Sequence, residues 1–258
     1  MQLRADGIQI FHGDFPPDAL LADLHVHTRR SDGWWQPERL AEAAVARGLS
    51  AIAVTDHDDC SAGFVVADYC ARRGLPLRVY PGSEITAREH GHDVHVIGLD
   101  LQSDVRPWQS LAATVEEVMR QGGIVIMPHP KPDGFGFPSF SQILQLDVPV
   151  AIEVFNAAAW DLAWVTRLRG LADANRAARA FYETHRYRFL GAVGGTDAHF
   201  RTVGRGLTLY HGDLRQALLR GETAVAYRPE RERLTPWDPM GYVVGLRRLD
   251  ARRKARYG

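Results

Sequence analysis

The chain has 258 residues, 45% hydrophobic and 24% charged, and its 31 basic and 31 acidic side chains cancel to a formal charge of zero. This excludes a disordered polymer and a surface that attracts nucleic acid or membrane by bulk charge, so any preference for an anion has to come from a local site. Cys60 and Cys70 are too few for a disulfide framework, the N-terminus carries no charged-then-apolar leader, and no apolar run reaches the ~20 residues of a membrane span; the expectation is one cytoplasmic domain with no membrane partner.

Residues 1–19, with Gly7, Gly13, Pro16 and Pro17 around short apolar pieces, read as a hairpin or lead-in. Leu20, Leu21 and Ala22 then begin a buried strand that runs into Asp23-Leu24-His25-Val26-His27 and a polar loop ending in Asp32-Gly33. Side chains alternate along a strand, so His25 and His27 share a face, about 7 Å apart in rise. Pro37 suits a first helical position, Leu40, Ala41, Ala44 and Val45 make the apolar stripe, and Gly48 is the stop. The pattern repeats in residues 51–55, an apolar strand delivering Asp56-His57-Asp58-Asp59. A helix is predicted over 61–73, ended by Gly74, and the next strand carries Glu84.

Residues 93–99 alternate as a strand holding His95, a helix is predicted over 107–121, and residues 124–127 lead to Pro128-His129-Pro130. Residues 148–155 form a strand interrupted by Glu153, and 161–188 supply one or two scaffold helices. A last strand, 189–195, delivers Thr196-Asp197-Ala198-His199. Strands alternating with helices predict a parallel α/β barrel whose loops at the carboxyl ends of the strands carry the site.

The succession H-V-H-T-x-x-S-D-G, P-E-x-L, A-V-T-D-H-D, G-S-E-I-T, V-H-V-I-G-L, a histidine-proline after an apolar strand, and G-G-T-D-A-H resembles the PHP (polymerase and histidinol phosphatase) superfamily of metal-dependent phosphoesterases. The resemblance implies a distorted seven-stranded β/α, TIM-like barrel over residues 20–228, leaving 229–258 as an extension with a basic tail. It also implies up to three divalent metal ions: one among His25, His27, Glu84 and Asp197, a second sharing Glu84 with His95 and His129, and a third held by Asp32, His57 and His199.

The residues themselves lead the same way. Of 11 histidines, His25, His27, His57, His95, His129 and His199 follow or sit in apolar strands, where their rings can converge with carboxylates. Nitrogen and oxygen donors fit manganese, iron or zinc. Three divalent ions exceed the charge of Asp32, Glu84 and Asp197, which calls for an anionic substrate, and phosphate fits. Hydrolysis by metal-bound hydroxide, on a phosphomonoester of a small metabolite or a nucleic-acid end, is the expected reaction. The alternatives are an amidohydrolase-like metal hydrolase, which also opens with H-x-H, and a non-catalytic scaffold, which would lack ligands.

Further candidates are Asp56, to orient a ligand or accept a proton, and Lys131 with Arg201 as the preferred phosphate clamp among Arg29, Lys131, Arg201 and Arg205. The resemblance places an arginine after the histidine-proline, where this chain has Lys131. Trp34, Trp35, Phe135 and Phe137 are candidates to stack on a base. His90 and His92 compete with His95, which sits within the matched motif. The tail, with Arg247, Arg248, Arg252, Arg253, Lys254 and Arg256 against Asp250, reads as a frayed, solvated end, with a nucleic-acid contact as the alternative.

Overall fold

The structure, a computed structural model, describes residues 10–12, 16–132, 137–160, 169–228 and 237–257. Ten strands form one sheet: β1 (Ile10–His12), β2 (Leu20–Asp23), β3 (Ala51–Val54), β4 (Arg78–Glu89), β5 (His92–Leu99), β6 (Ile124–Met127), β7 (Val150–Asn156), β8 (Phe189–Gly195), β9 (Gly206–Tyr210) and β10 (Ala224–Tyr227), in the order β1-β10-β9-β2-β3-β4-β5-β6-β7-β8. Gly194 N donates to Thr208 Oγ1, which donates in turn to Gly194 O, so β8 comes back to β9 and the sheet is a nearly closed barrel. Six strands, β2 to β6 and β8, carry or lead to the predicted site residues and β7 lies among them, while β9, β10 and β1 continue the sheet beyond β2.

Helices α1 (Pro37–Ala46), α2 (Ser61–Arg73), α3 (Leu111–Arg120), α4 (Phe140–Leu144), α5 (Arg169–His185) and α6 (Leu214–Arg220) follow strands, and α7 (Trp237–Tyr257) comes last. The strands are buried on both faces. In β3, Ala51 and Ala53 join an apolar cluster with Leu24, Ile97, Ile126 and Val193, whereas Ile52 and Val54 join Leu40, Ala44 and Val66 of α1 and α2. Leu40 is fully buried there, worth about 1.5–3 kcal/mol.

The parallel barrel is only partly realised, because β5 runs antiparallel to both β4 and β6. Glu89 pairs with His92 across a two-residue turn in which His90 (φ 50°) and Gly91 (φ 82°) are both left-handed, the backbone of a tight hairpin. Helix α3 begins at Leu111 instead of Pro107, because Ser110 Oγ accepts the Ala113 N–H and sets the N-cap there. In the lead-in, β1 pairs in parallel with β10 and no hairpin forms among the described residues; residues 1–9 and 13–15 lie outside them. The basic tail is not frayed: it is the C-terminal part of α7, tied to the barrel by arginines. No helix among the described residues is long and apolar enough to cross a membrane.

Candidate metal centre

The sequence folds so that each apolar strand exports its ionisable end to one mouth of the barrel. His25 and His27 follow β2 with rings 5.2 Å apart, His57 follows β3, and Glu84 lies within β4. His95 is inside β5, opposite Thr86, because that strand is reversed and its hairpin with β4 extends past the mouth. His129 follows β6, and Asp197 and His199 follow β8. Gly33 lets the first loop close: a Cβ there would stand 2.2 Å from the His27 carbonyl oxygen.

All nine residues meet. Glu84 Oε2 lies 3.3 Å from His25 Nε2, 3.2 Å from His27 Nε2 and 3.5 Å from His57 Nδ1, while Glu84 Oε1 lies 2.8 Å from His95 Nδ1 and 3.0 Å from His129 Nε2. Asp197 Oδ1 is 3.3 Å from His27 Nε2 and 3.1 Å from His199 Nδ1. Asp32 Oδ2 is 3.1 Å from His199 Nε2 and 3.7 Å from His57 Nε2. Donor sets gathered within 4.8 Å are His27, Asp32, His57 and His199; His25, His27 and Glu84; His25, His129 and Asp197; and His57, Glu84 and His95.

These contacts fit divalent cations better than they fit hydrogen bonds. Two donors each ~2.1 Å from one ion stand about 3.0–3.4 Å apart, the spacing that recurs here. The buried Nδ1 and Nε2 of His27, Nδ1 of His57, Nδ1 of His95 and Oδ1 of Asp197 have no hydrogen-bond partner, although carboxylates or imidazoles surround them. Buried polar atoms that face one another without bonding leave their lone pairs for a shared electrophile. The donors are nitrogen and oxygen only; Cys60 and Cys70 are buried and free, outside every donor set.

Electrostatics follows from this crowding. Burial disfavours a charged His25, but Asp197, Glu153 and Glu84 outweigh it and carry its pKa well above the ordinary value. His199 behaves likewise, burial being overcome by Asp32 and Asp197. For Glu84 and Asp197 burial is again overcome, by His95 and His25 for the first and by His25 and His199 for the second, and both are held well below the carboxylate range. His57 is the exception: its burial dominates and pushes it down to about 3, leaving a neutral ring.

Two acidic residues that the sequence did not single out shape the site. Glu153, within β7, accepts His25 Nδ1 at 3.1 Å through Oε1, and through Oε2 it accepts the His129 N–H at 2.8 Å and Asn156 Nδ2 at 3.1 Å. Asn156 also donates to Asp197 Oδ2. Asp23 is fully buried and accepts the N–H groups of Thr196 and Gly204 and the Thr196 hydroxyl, fastening the end of β2 to that of β8; burial raises its pKa to about 6 despite these bonds. His129 (φ 32°) and Asp197 (φ 56°) are left-handed non-glycine residues, pinned by the bond to Glu153 and by Asp197 N–H donating to His25 O.

The other candidates divide. The Asp56 carboxylate accepts the Thr28 and Ser31 amides and both hydroxyls, so it organises the first loop and belongs to none of the metal-donor sets. Lys131 Nζ lies 3.4 Å from the centroid of Phe137, whose edge meets His129. Arg201 and Arg29 lie over Trp34 at 4.7 and 5.8 Å. Arg205 leaves the clamp: it is 1% exposed, over the Tyr227 ring, and donates to its hydroxyl. Trp35 packs against the cluster of Leu40 and is not a stacking platform. Phe135 lies outside the described residues. His90 and His92 are exposed at the hairpin tip, away from Glu84.

The PHP domain model matches residues 23–143. The uncharacterized protein MJ1587 of Methanocaldococcus jannaschii is 31% identical over 150 residues, covering 53% of this chain and 81% of that protein. The 5′-3′ exoribonuclease Rnm of Escherichia coli is 39% identical over 83 residues, 32% of this chain; the match spans only 28% of the exoribonuclease. Among solved structures, a two-domain protein of Bacteroides vulgatus containing a predicted PHP-like metal-dependent phosphoesterase superposes with a TM-score of 0.56 at 20% identity, over 87% of this chain and 69% of that one, a likeness of fold.

Proposed function

The chain belongs to the PHP domain family, and from that premise we propose that it is a metal-dependent phosphoesterase that hydrolyses a phosphomonoester, with a nucleotide or oligonucleotide end preferred. The observation that carries this reading is the convergence of His25, His27, Asp32, His57, Glu84, His95, His129, Asp197 and His199 into donor sets in which both ring nitrogens of His27, Nδ1 of His57 and His95 and Oδ1 of Asp197 are buried without a hydrogen-bond partner. Up to three divalent ions, manganese, iron or zinc, would there bind phosphate oxygens, lower the pKa of water and offset charge on the departing alkoxide.

The chain's own groups have distinct duties in this reading. Glu84 offers one oxygen to His25 and His27 and the other to His95 and His129, so it would be the ligand common to two sites. Glu153 accepts from His25 Nδ1, which leaves Nε2, facing Glu84 and Asp197, as the ring atom that would bind a metal. Asp56 holds the loop that carries Asp32. Lys131, two residues after His129 and over Phe137, and Arg201, two residues after His199 and over Trp34, are the cations for a phosphate group. The exoribonuclease relative supports a nucleic-acid end as the substrate class.

The test is hydrolysis of 4-nitrophenyl phosphate by protein loaded in turn with manganese, iron and zinc. Activity is expected with at least one metal and is lost on chelation; turnover by protein shown metal-free by elemental analysis overturns the reading. A nucleoside monophosphate should be cleaved faster than its methyl diester and faster than a sugar phosphate.

A further inference from the structure

Helix α7 lies against the loop that carries the first metal-binding motif. Gly245 makes the closest approach: a Cβ there would stand 2.5 Å from the Asp32 carbonyl oxygen. Arg248 donates to the Arg29 carbonyl at 2.8 Å, and Arg252 donates to that of Arg30. Arg253 pairs with Asp58 at 2.6 Å and bonds Thr86 Oγ1, and Arg256 pairs with Asp104. Asp58 is the residue after His57, so the helix is fastened on both sides of one metal-donor set.

Between helix and barrel is a cleft of about 370 Å³, lined by Arg30, His57, Asp58, Arg252, Arg253 and Arg256 among others. Its volume suits a nucleotide-sized fragment. A candidate metal ligand, His57, is among its lining residues, so the cleft adjoins one of the metal-donor sets. The charge along its rim is unbalanced. Arg253 and Arg256 have carboxylate partners, but Arg29, Arg30, Arg248 and Arg252 pair with none among the described residues, and the Arg30 guanidinium makes no hydrogen bond. Arg248 carries the mark of this crowding: burial first, then the charges of Arg29 and Arg252, lower its pKa.

Resting on the phosphoesterase reading, we propose that this cleft is a second phosphate site, in which Arg30 and Arg252 hold a phosphate of the substrate other than the one hydrolysed. Guanidinium forks match phosphate oxygens in pairs, and an anion would relieve the repulsion that the fold leaves standing. The phosphate has two sources, a second phosphomonoester on one nucleotide or the first internucleotide link of an oligonucleotide.

The test compares kcat/KM for adenosine 3′,5′-bisphosphate and for a 5′-phosphorylated dinucleotide, each divided by that for 4-nitrophenyl phosphate. Both ratios are measured in the unaltered chain, in Arg30→Ala and in Arg252→Ala, with Lys254→Ala as a control on the same helix. One ratio or both should fall about tenfold in the two arginine variants, chiefly through KM, and the one that falls further identifies the source. Ratios that stay within twofold overturn the proposal. Arg30→Ala guards against a folding effect, because that side chain has no hydrogen bond or ion pair to lose. Equilibrium dialysis of adenosine 3′,5′-bisphosphate against AMP, under chelation, separates this site from the parent reading. Tighter binding of the bisphosphate that is lost in Arg252→Ala supports the cleft even if no aryl phosphate is hydrolysed, and equal binding of the two overturns it.

Discussion

Replacing Glu153 by glutamine changes one atom in the chain and should weaken metal binding by 10- to 100-fold. The glutamate carboxylate has three donors to satisfy, His25 Nδ1, the His129 amide and Asn156 Nδ2. A glutamine oxygen can keep the last two only by turning its NH2 toward His25. The ring must then accept at Nδ1 and carry its proton on Nε2, the atom that faces Glu84 and Asp197. Undoing that tautomer, or leaving a buried donor unpaired, costs about 1–3 kcal/mol, which at 1.4 kcal/mol per decade is about 5- to 150-fold and brackets the range above. The assay is competition for metal against a chelator of known affinity, run beside a melting curve of the metal-free protein. Affinity within twofold of the unaltered chain, in a variant that still folds, would show that Glu153 does not fix the His25 tautomer.

Glu84→Ala should lose more bound metal than Asp32→Ala, because Glu84 faces two donor groups and Asp32 one; equal losses by elemental analysis refute the sharing. Gly33→Ala should destabilise the chain by about 1–3 kcal/mol in a denaturant titration, since its Cβ meets backbone and not a movable side chain; an unchanged midpoint contradicts the close approach. His25 and His199 have folded pKa values above 6.5, so the folded metal-free protein keeps protons that the unfolded chain has released, and its stability should fall as pH rises from 6.5 through those values. Metal loading must expel the same protons, so affinity should rise over that window with protons released; a melting temperature that climbs with pH in the metal-free protein would reverse the assignment.

The candidate donors were legible because most of them stand where an apolar run turns ionisable, and α2 was legible to the residue because Gly74 (φ 61°) closes it. The reversal of β5 was hidden because its turn is His90-Gly91, and histidine is not the asparagine or aspartate that usually marks such a turn. Glu153 was hidden by its strand: every residue of β7 is buried, so alternation could not show which face met the site. The seating of α7 depends on arginines bonding backbone carbonyls, and a row of cations gives no sequence sign of whether it meets solvent or carbonyl oxygens. Arg205 looked like a clamp by its place near Asp197, and only the fold turns it inward to Tyr227.

The fastening of β2 to β8 through Asp23 also bears on how the molecule is made. Asp23 and Thr196 are 173 residues apart. At ~5–20 residues per second, ribosomal synthesis of that separation takes roughly 9–35 s. Throughout that interval His25 and His27 exist without Asp197 and His199, and β2 lacks its partner β9. Contacts so distant in sequence are entropically expensive to form and arrive late in folding. The nascent chain therefore spends its vulnerable period with an open barrel and half of the candidate donor cluster, and the same clasp that completes the mouth ends that exposure.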